Sequence, residues 1–390
     1  MMPAQWPANL GPVICVVGAR PNFMKMAPIL RAFAANLPAI PALLVHTGQH
    51  YDRDMSDKLF EDLQLPHPDI NLDVGSGSHA VQTAEVMRRF EPVVDTHRPS
   101  CVVVVGDVNS TLACTLVSAK KGIPVVHVEA GLRSYDRAMP EEINRVLTDQ
   151  IADRLYTTER SAEANLLREG ISDERIRFVG NVMIDSLLHN REFACSPAHT
   201  LAANGASPAL LDGPSGYGVV TLHRPSNVDH PETLAALLGV LLEISEQLPL
   251  VFALHPRTRA NIERFDLGNL LDSPRLIQLP PQGYLEILGL MADAKIVLTD
   301  SGGLQEETTA LGIPCLTLRE NTERPITVEQ GTNTLVGRNI DAIRRQAGEI
   351  LAGRSKRGRV PELWDGRAAE RIAADLASWL LQERPVLTKA

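Results

Sequence analysis

Two acidic residues, Asp107 in VVVVGDVNST and Glu129 in VVHVEAGLR, each read as lying just past a buried apolar run. They are one strand–helix–strand step apart, so adjacent strands of one sheet would present two carboxylates to one cleft. Partial burial would suit such a pair to acid–base work. Glu141 and Glu142 follow Pro140 at a helix start. Glu141 reads as a third acid facing that cleft, whereas Glu142 reads equally well as compensation of the helix dipole.

A second group of residues has the chemistry of an anion site. The word LTDSGGLQEE, residues 298–307, reads as a strand ending at Thr299, capping groups on Asp300 and Ser301, close backbone approach at Gly302 and Gly303, and a helix opening at Leu304. Free N–H groups and the helix dipole make such a turn a seat for a diphosphate, although alone it is equally a capped tight turn. Glu306 and Glu307, one turn in, would be exposed or would bind something such as a ribose diol, whose two hydroxyl protons a carboxylate accepts. Arg20, Lys25, His223, Arg224 and Arg324 are the cations that could neutralise the same anion. Pro325 would start a helix with Arg324 at its mouth.

These residues need a scaffold, and the apolar pattern supplies one. Short β-branched runs at Val13–Val17, Ala42–His46, Cys101–Val105, Pro124–Val128, Arg154–Thr158 and Arg175–Val179 alternate with helical patterns such as Asn109–Lys120 and Glu141–Ile151. The series restarts at Gly218–Leu222, Leu250–Leu254, Arg275–Leu279, Lys295–Leu298 and Cys315–Leu318, with helix patterns at Thr233–Ile244 and Tyr284–Ala292. Near-continuous apolar strands belong to parallel sheets covered on both faces. The expected fold class is therefore α/β, with two Rossmann-like doubly wound domains facing across a cleft. We expect one domain over 1–183 and the other over 184–365. A C-terminal helix over 366–390, with its amphipathic pattern in Asp365–Leu381, would pack back on the first. Cys195–Gly216 shows no periodicity and reads as a loop or linker. The polar words fall at strand ends, where ligands bind in open parallel sheets.

Composition excludes several classes. The 390 residues suggest two or three domains at roughly 150 each. A content of 44% hydrophobic and 22% charged residues is that of a folded globular chain. The net charge of −9, with no extended Lys/Arg run, points away from nucleic acid and anionic membranes. Five cysteines, an odd number mostly within apolar stretches, read as buried thiols of a reducing compartment. With no apolar leader or span, the expected location is the cytoplasm. There is no Walker-type phosphate loop and no nucleophile elbow. GSGSHA at Gly75–Ala80 lacks the strand context of a dinucleotide site. His46 and His50 lack a zincin glutamate, and Asp52–Asp54 is a bare loop D-x-D, so no metal site is expected.

The words GARPNFMKMAPI, HTGQHYD, VVVVGDVNSTLA, HVEAGLRSYDRAMPEEINRVLTD, FVGNVMID, LTDSGGLQEE and ENTERPITVEQGTNTLVG together resemble the non-hydrolysing UDP-N-acetylglucosamine 2-epimerases, over nearly the whole chain. The resemblance implies a glycosyltransferase-B-like arrangement, a UDP-sugar substrate, no cofactor and a homodimer. It also implies interconversion of C2 epimers by expulsion of UDP through a 2-acetamidoglucal, followed by re-addition with proton delivery to the opposite face. By motif, it places Arg20, Lys25 and His223 at the diphosphate and catalytic centre, Ser301, Gly302 and Gly303 at the phosphate turn, and Glu307 at the ribose. Arg324 becomes a further UDP contact, Gln282 a residue near the uracil, and Asp107, Glu129 and Glu141 the proton-transfer acids.

One departure matters. Where many members have HRREN, this chain reads HRPSN, Pro225 and Ser226 replacing two charged side chains. That puts allosteric UDP-sugar activation in doubt and resembles relatives acting on modified sugars such as UDP-2,3-diacetamido uronates. A glycosyltransferase of the same fold, a hydrolysing relative and a non-catalytic UDP-sugar sensor are the competing readings. The sensor fits least, because it gains nothing from buried unpaired acids.

Overall fold

Runs such as Val13–Val17 and Cys101–Val105 are buried at every residue, which a strand achieves only when helices cover both faces of its sheet. The computed structural model describes residues 5–48, 66–211, 213 and 216–382; His50, the Asp52–Asp54 run and residues 383–390 lie outside them.

Among the described residues, one sheet has seven parallel strands in the order β3-β2-β1-β4-β5-β6-β7. These are β1 (Val13–Val17), β2 (Ala42–His46), β3 (Ile70–Asn71), β4 (Cys101–Val105), β5 (Val125–Ala130), β6 (Arg154–Thr157) and β7 (Ile176–Phe178). The other sheet has six, in the order β10-β9-β8-β11-β12-β13. They are β8 (Gly218–Thr221), β9 (Leu250–Ala253), β10 (Leu276–Leu279), β11 (Ile296–Thr299), β12 (Cys315–Thr317) and β13 (Asn333–Leu335). In each sheet the chain grows outward from its first strand, then crosses back to the other side of it. The β1/β4 and β8/β11 junctions are therefore topological switch points, where helix N-termini diverge and leave a crevice.

Two compact units result. The first runs to Leu188 and resumes at Glu362; the second spans His189–Pro361. In the first core, Ile14, Val16, Val102 and Val104 meet Val86, Phe90 and Val94 of the helix His79–His97. In the second, Val220, Phe252 and Leu298 meet Leu234, Leu237 and Leu241 of the helix Pro231–Ser245. Each such fully buried side chain contributes about 1.5–3 kcal/mol through removal of apolar surface from water.

The helix Ala368–Gln382 is fixed to the first unit by charge as well as packing. Asp185 accepts the N–H groups of Ala368 and Ala369 at 3.1 and 2.7 Å, capping its first turn. Asp375 accepts from two of the three Arg154 nitrogens, Nε and Nη2, at 2.9 Å and from the Tyr156 hydroxyl at 2.8 Å.

Two sequence expectations are corrected. The stretch Cys195–Gly216 is not simply loop: Pro197–Ala203 is helical, with Pro197 in its first turn and the Ser196 hydroxyl accepting the His199 N–H. Strands β3 and β13 were not foreseen, because two or three residues are too few to show a period.

Candidate active site

In the first unit the candidate residues gather at the carboxyl ends of β1, β4 and β5. The β1 strand runs into Gly18, where a Cβ would lie 2.4 Å from the Ser110 hydroxyl; only glycine fits. Asn22 accepts the N–H groups of Gly18 and Ala19 at 3.1 and 3.0 Å and donates to the Val105 carbonyl at 3.0 Å, tying the ends of β1 and β4 together. One turn on, the Lys25 ammonium meets the Glu129 carboxylate at 2.7 Å, both side chains almost completely buried. The side chain of Arg20, first residue of the helix Arg20–Ala35 that carries Asn22 and Lys25, lies outside the described residues.

Glu129 does not sit past the strand, as its sequence suggests, but inside β5. Its φ is +69°, and the register against β6 shifts between Val128 and Ala130. This bulge breaks the alternation of the strand and re-aims the carboxylate. A non-glycine residue in the left-handed region is strained, and such strain gathers at functional positions.

Asp107 follows Gly106, whose φ is +68°. Its carboxylate is paired with Arg145, and its backbone carbonyl accepts from the Asn144 side chain at 2.9 Å. The acids of this unit are thus not unpaired: Glu129 has Lys25 and Asp107 has Arg145. Glu141 and Asp107 line one cavity of about 310 Å³ together with His79, Gln82, Asn109 and Asn144. Glu129 is not among its lining residues. Glu142 does more than offset a helix dipole. Buried, it accepts the N–H groups of Ser134 and Tyr135 at 2.9 and 3.0 Å, the Ser134 hydroxyl at 3.0 Å and Arg145 at 2.8 Å, bracing the loop before its own helix.

In the second unit the site forms where β8 and β11 part. The helix opens at Gly302, two residues earlier than the apolar pattern indicates, and spans Gly302–Leu311. Ser301 is its N-cap residue but makes no side-chain cap bond, and Asp300 does not cap it either. Instead the Asp300 carboxylate turns to the end of β8. It accepts the N–H groups of His223 and Arg224, the Asn227 amide, and the His223 ring at 2.8 Å. Burial by itself would raise this carboxyl. The His223 ring and the two backbone N–H groups outweigh burial and hold it below the usual aspartate value. An ionised Asp300 is acceptor-only, so the facing Nδ1 of His223 carries a hydrogen and Nε2 is left for a substrate. His255 lies beside His223, ring centroids 5.6 Å apart; burial, then the His223 charge, lowers its pKa.

The N-terminal turn of the helix Gly302–Leu311 therefore keeps backbone donors that no side chain caps. Arg324 lies over it: a Cβ on Gly302 would come within 3.2 Å of the Arg324 guanidinium. Two carboxylates orient that arginine, Glu306 at 3.0 Å and Glu323 at 2.9 Å. Pro325 occupies the first position of the helix Pro325–Glu329, with Arg324 as its N-cap residue. Glu306 is accordingly buried rather than exposed, as is Glu307, which lies beside the Tyr284 hydroxyl. Burial and the Glu307 charge push that phenol far above its usual value. Gln282, in the loop after β10, donates to the Pro280 carbonyl at 2.8 Å and meets the Asn204 amide at 3.3 Å.

Sequence reasoning missed Asp300 as the partner of His223, Arg145 as the partner of Asp107, and the buried His127–Asp149 pair at 2.6 Å. A signal existed for the last: His127 interrupts the apolar run PVVHV ahead of Glu129 in the same strand.

Known proteins of similar sequence and structure give this arrangement its class. The family model for UDP-N-acetylglucosamine 2-epimerase matches residues 34–377. A UDP-N-acetylglucosamine 2-epimerase of Methanocaldococcus jannaschii is 43% identical over 92% of this chain and 96% of its own length. A UDP-2,3-diacetamido-2,3-dideoxy-D-glucuronate 2-epimerase of Pseudomonas aeruginosa is 39% identical over 94% of this chain and 99% of its own. The solved Methanocaldococcus jannaschii UDP-GlcNAc 2-epimerase in complex with UDP-GlcNAc and UDP has a TM-score of 0.79 at 40% identity, covering 93% of this chain and 99% of that one. The two parallel α/β sheets are those of the glycosyltransferase-B-like class, and the protein is an isomerase by kinship. The chain belongs to the UDP-N-acetylglucosamine 2-epimerase family.

Proposed function

We propose that the chain catalyses epimerisation at C2 of a UDP-2-acetamido sugar, converting UDP-N-acetylglucosamine to UDP-N-acetylmannosamine without hydrolysis. In this reading the second unit holds UDP. The diphosphate lies on the uncapped turn at Ser301, Gly302 and Gly303 under Arg324, the ribose diol on Glu307, the uracil near Gln282, and His223 meets the departing phosphate oxygen. Asp107, Glu129 and Glu141 of the first unit move the proton. The C2–H bond breaks to a carboxylate as the C1–O bond to UDP breaks, giving the 2-acetamidoglucal and bound UDP. Re-addition of UDP at C1, with protonation of C2 from the opposite face, yields the epimer. A C2 hydrogen is far too weakly acidic for direct removal, so stabilisation of the leaving diphosphate must lower the barrier.

The observation that carries this reading is the pairing at the second switch point. An uncapped helix N-terminus under an oriented arginine lies next to a histidine whose tautomer is set by a buried aspartate. The test is incubation of the purified protein with UDP-N-acetylglucosamine in heavy water, without added nicotinamide or metal. Deuterium at C2 in both epimers is the expected result. UDP released in proportion to turnover would sink it in favour of hydrolysis or glycosyl transfer.

A second reading of the substrate rests on HRPSN and on the Pseudomonas relative: a UDP-2,3-diacetamido-glucuronate in place of UDP-N-acetylglucosamine. Comparison of kcat/KM for the two sugars decides between them. We further infer a cytoplasmic homodimer serving polysaccharide synthesis. The four buried free thiols support the compartment, and an apolar groove of about 390 Å³ lined by Ala84, Met87 and Ile143 supports the dimer. Sedimentation checks the dimer.

A further inference from the structure

Beneath the acids of the first unit lies a buried His–Asp pair that the proposed chemistry does not use. His127, in β5, and Asp149, on the helix Pro140–Ile151, are both inaccessible to solvent. The ring Nδ1 lies 2.6 Å from Asp149 Oδ1, and Nε2 lies 2.8 Å from the Gly106 carbonyl oxygen. A carbonyl is only an acceptor, so Nε2 carries a hydrogen. The carboxylate facing Nδ1 also accepts from Arg133 at 2.7 Å and from the Gly131 N–H at 3.0 Å through its other oxygen. Both ring nitrogens of His127 thus face acceptors, which locks the ring in place. Beyond Asp149 the charges alternate to Arg133 and Glu169, the last two joined at 2.6 Å.

The contacts of this pair fall on two backbone positions. His127 holds the carbonyl of Gly106, the residue immediately before Asp107. Asp149 holds the N–H of Gly131, two residues past Glu129, at the end of the bulge. Gly106 and Gly131 both have left-handed φ, +68° and +79°; the Gly106 N–H reaches the Val128 carbonyl at 3.1 Å, while its carbonyl and the Gly131 N–H are held by this pair. We propose that His127 is a positioning residue that, chiefly through the Gly106 carbonyl and with Asp149 holding the Gly131 side, sets Asp107 and Glu129 in register with one another. This rests on the reading of those two residues as proton-transfer acids. A misplacement of about 1 Å in such groups costs on the order of 10²-fold in rate.

Two conservative variants separate positioning from simple support. In His127→Gln the amide nitrogen occupies the place of Nε2, keeping the donor to Gly106 and losing the one to Asp149. In His127→Asn the amide nitrogen occupies the place of Nδ1, keeping Asp149 satisfied and releasing the Gly106 carbonyl. The experiment measures kcat, KM, UDP affinity and thermal midpoint for both in the full-length protein. Turnover is expected to lie about 10²-fold below wild type for His127→Asn and within about tenfold of it for His127→Gln, with UDP affinity unchanged in each. Loss of kcat that tracks the thermal midpoint regardless of which donor is kept overturns the proposal. Full activity in His127→Asn does so too. Absence of C2 exchange in the wild type instead defeats the reading of function. In that case, nitrogen chemical shifts of the His127 ring still test whether Nε2 carries a hydrogen.

Discussion

The Nδ1 of His223 lies 2.8 Å from Oδ1 of Asp300, so this pair ties the segments leaving β8 and β11 together at the point where the second sheet reverses direction. Asp300 also accepts two backbone N–H groups and the Asn227 amide. Asp300→Asn would turn an NH₂ group toward donors, lose the charge, and free the His223 tautomer. We expect turnover to fall by about 10²-fold or more, and stability to fall by about 1–3 kcal/mol from donors left unsatisfied. Steady-state kinetics and urea unfolding check the two effects. Undiminished turnover would remove the pair from the mechanism.

Gly302 leaves little room for a side chain, because an added Cβ meets the Glu323 carboxylate at 3.1 Å and the Arg324 guanidinium at 3.2 Å. Gly302→Ala should displace Arg324 from the helix N-terminus and weaken UDP binding about tenfold, with little change in the melting temperature. Calorimetric titration with UDP measures this. Wild-type affinity would show that the diphosphate sits elsewhere.

Asp107→Asn and Glu129→Gln are each expected to lower kcat by about 10²-fold or more, as removal of a general acid or base does. Lys25→Met tests the ion pair beneath Glu129 separately. It leaves a buried carboxylate without its cation and should destabilise the protein by about 3 kcal/mol, most of which the double change Lys25→Met with Glu129→Met restores. Additive losses in that cycle would mean the two side chains are not coupled.

Asp185 provides a dependence on pH with a definite sign. Burial pushes its carboxyl up to about 6 from an aspartate value of 3.8, against the pull of the Ala369 and Ala368 N–H groups. The folded chain therefore holds this proton more tightly than the unfolded one. The stability it contributes is full below about 3.8, falls as pH rises, and is lost above about 6. The interval is worth about 3 kcal/mol. Asp185→Asn, neutral throughout, should gain on the wild type between pH 4.5 and pH 7.5 in paired urea titrations. A constant difference across that range would refute the assignment.

Much of the scaffold is legible in the sequence. The all-apolar runs at Val13–Val17 and Cys101–Val105 became strands with those bounds, and the three- and four-residue spacing over Asn109–Lys120 and Tyr284–Ala292 became helices with those bounds. These signals are local: a buried strand must be apolar along its whole length, and a helix must repeat its apolar face. The helix Pro197–Ala203 escaped notice because seven residues with few large apolar side chains show no stripe. The helix start at Gly302 escaped because glycine is a poor marker of helix.

By itself the sequence determined which residue types stand at the strand ends and, through long matching words, the family. It did not determine their electrostatic state. Glu129 became an ion-paired acid in a bulge, Asp107 a partner of Arg145, Asp300 a partner of His223 rather than a cap, and Glu306 a brace for Arg324. Each of these pairings joins residues from different elements, and only the order of strands within a sheet brings such elements side by side. A buried charge is tolerated when its counter-charge arrives with the fold, so the chemistry of these acids was settled by packing rather than by their neighbours along the chain.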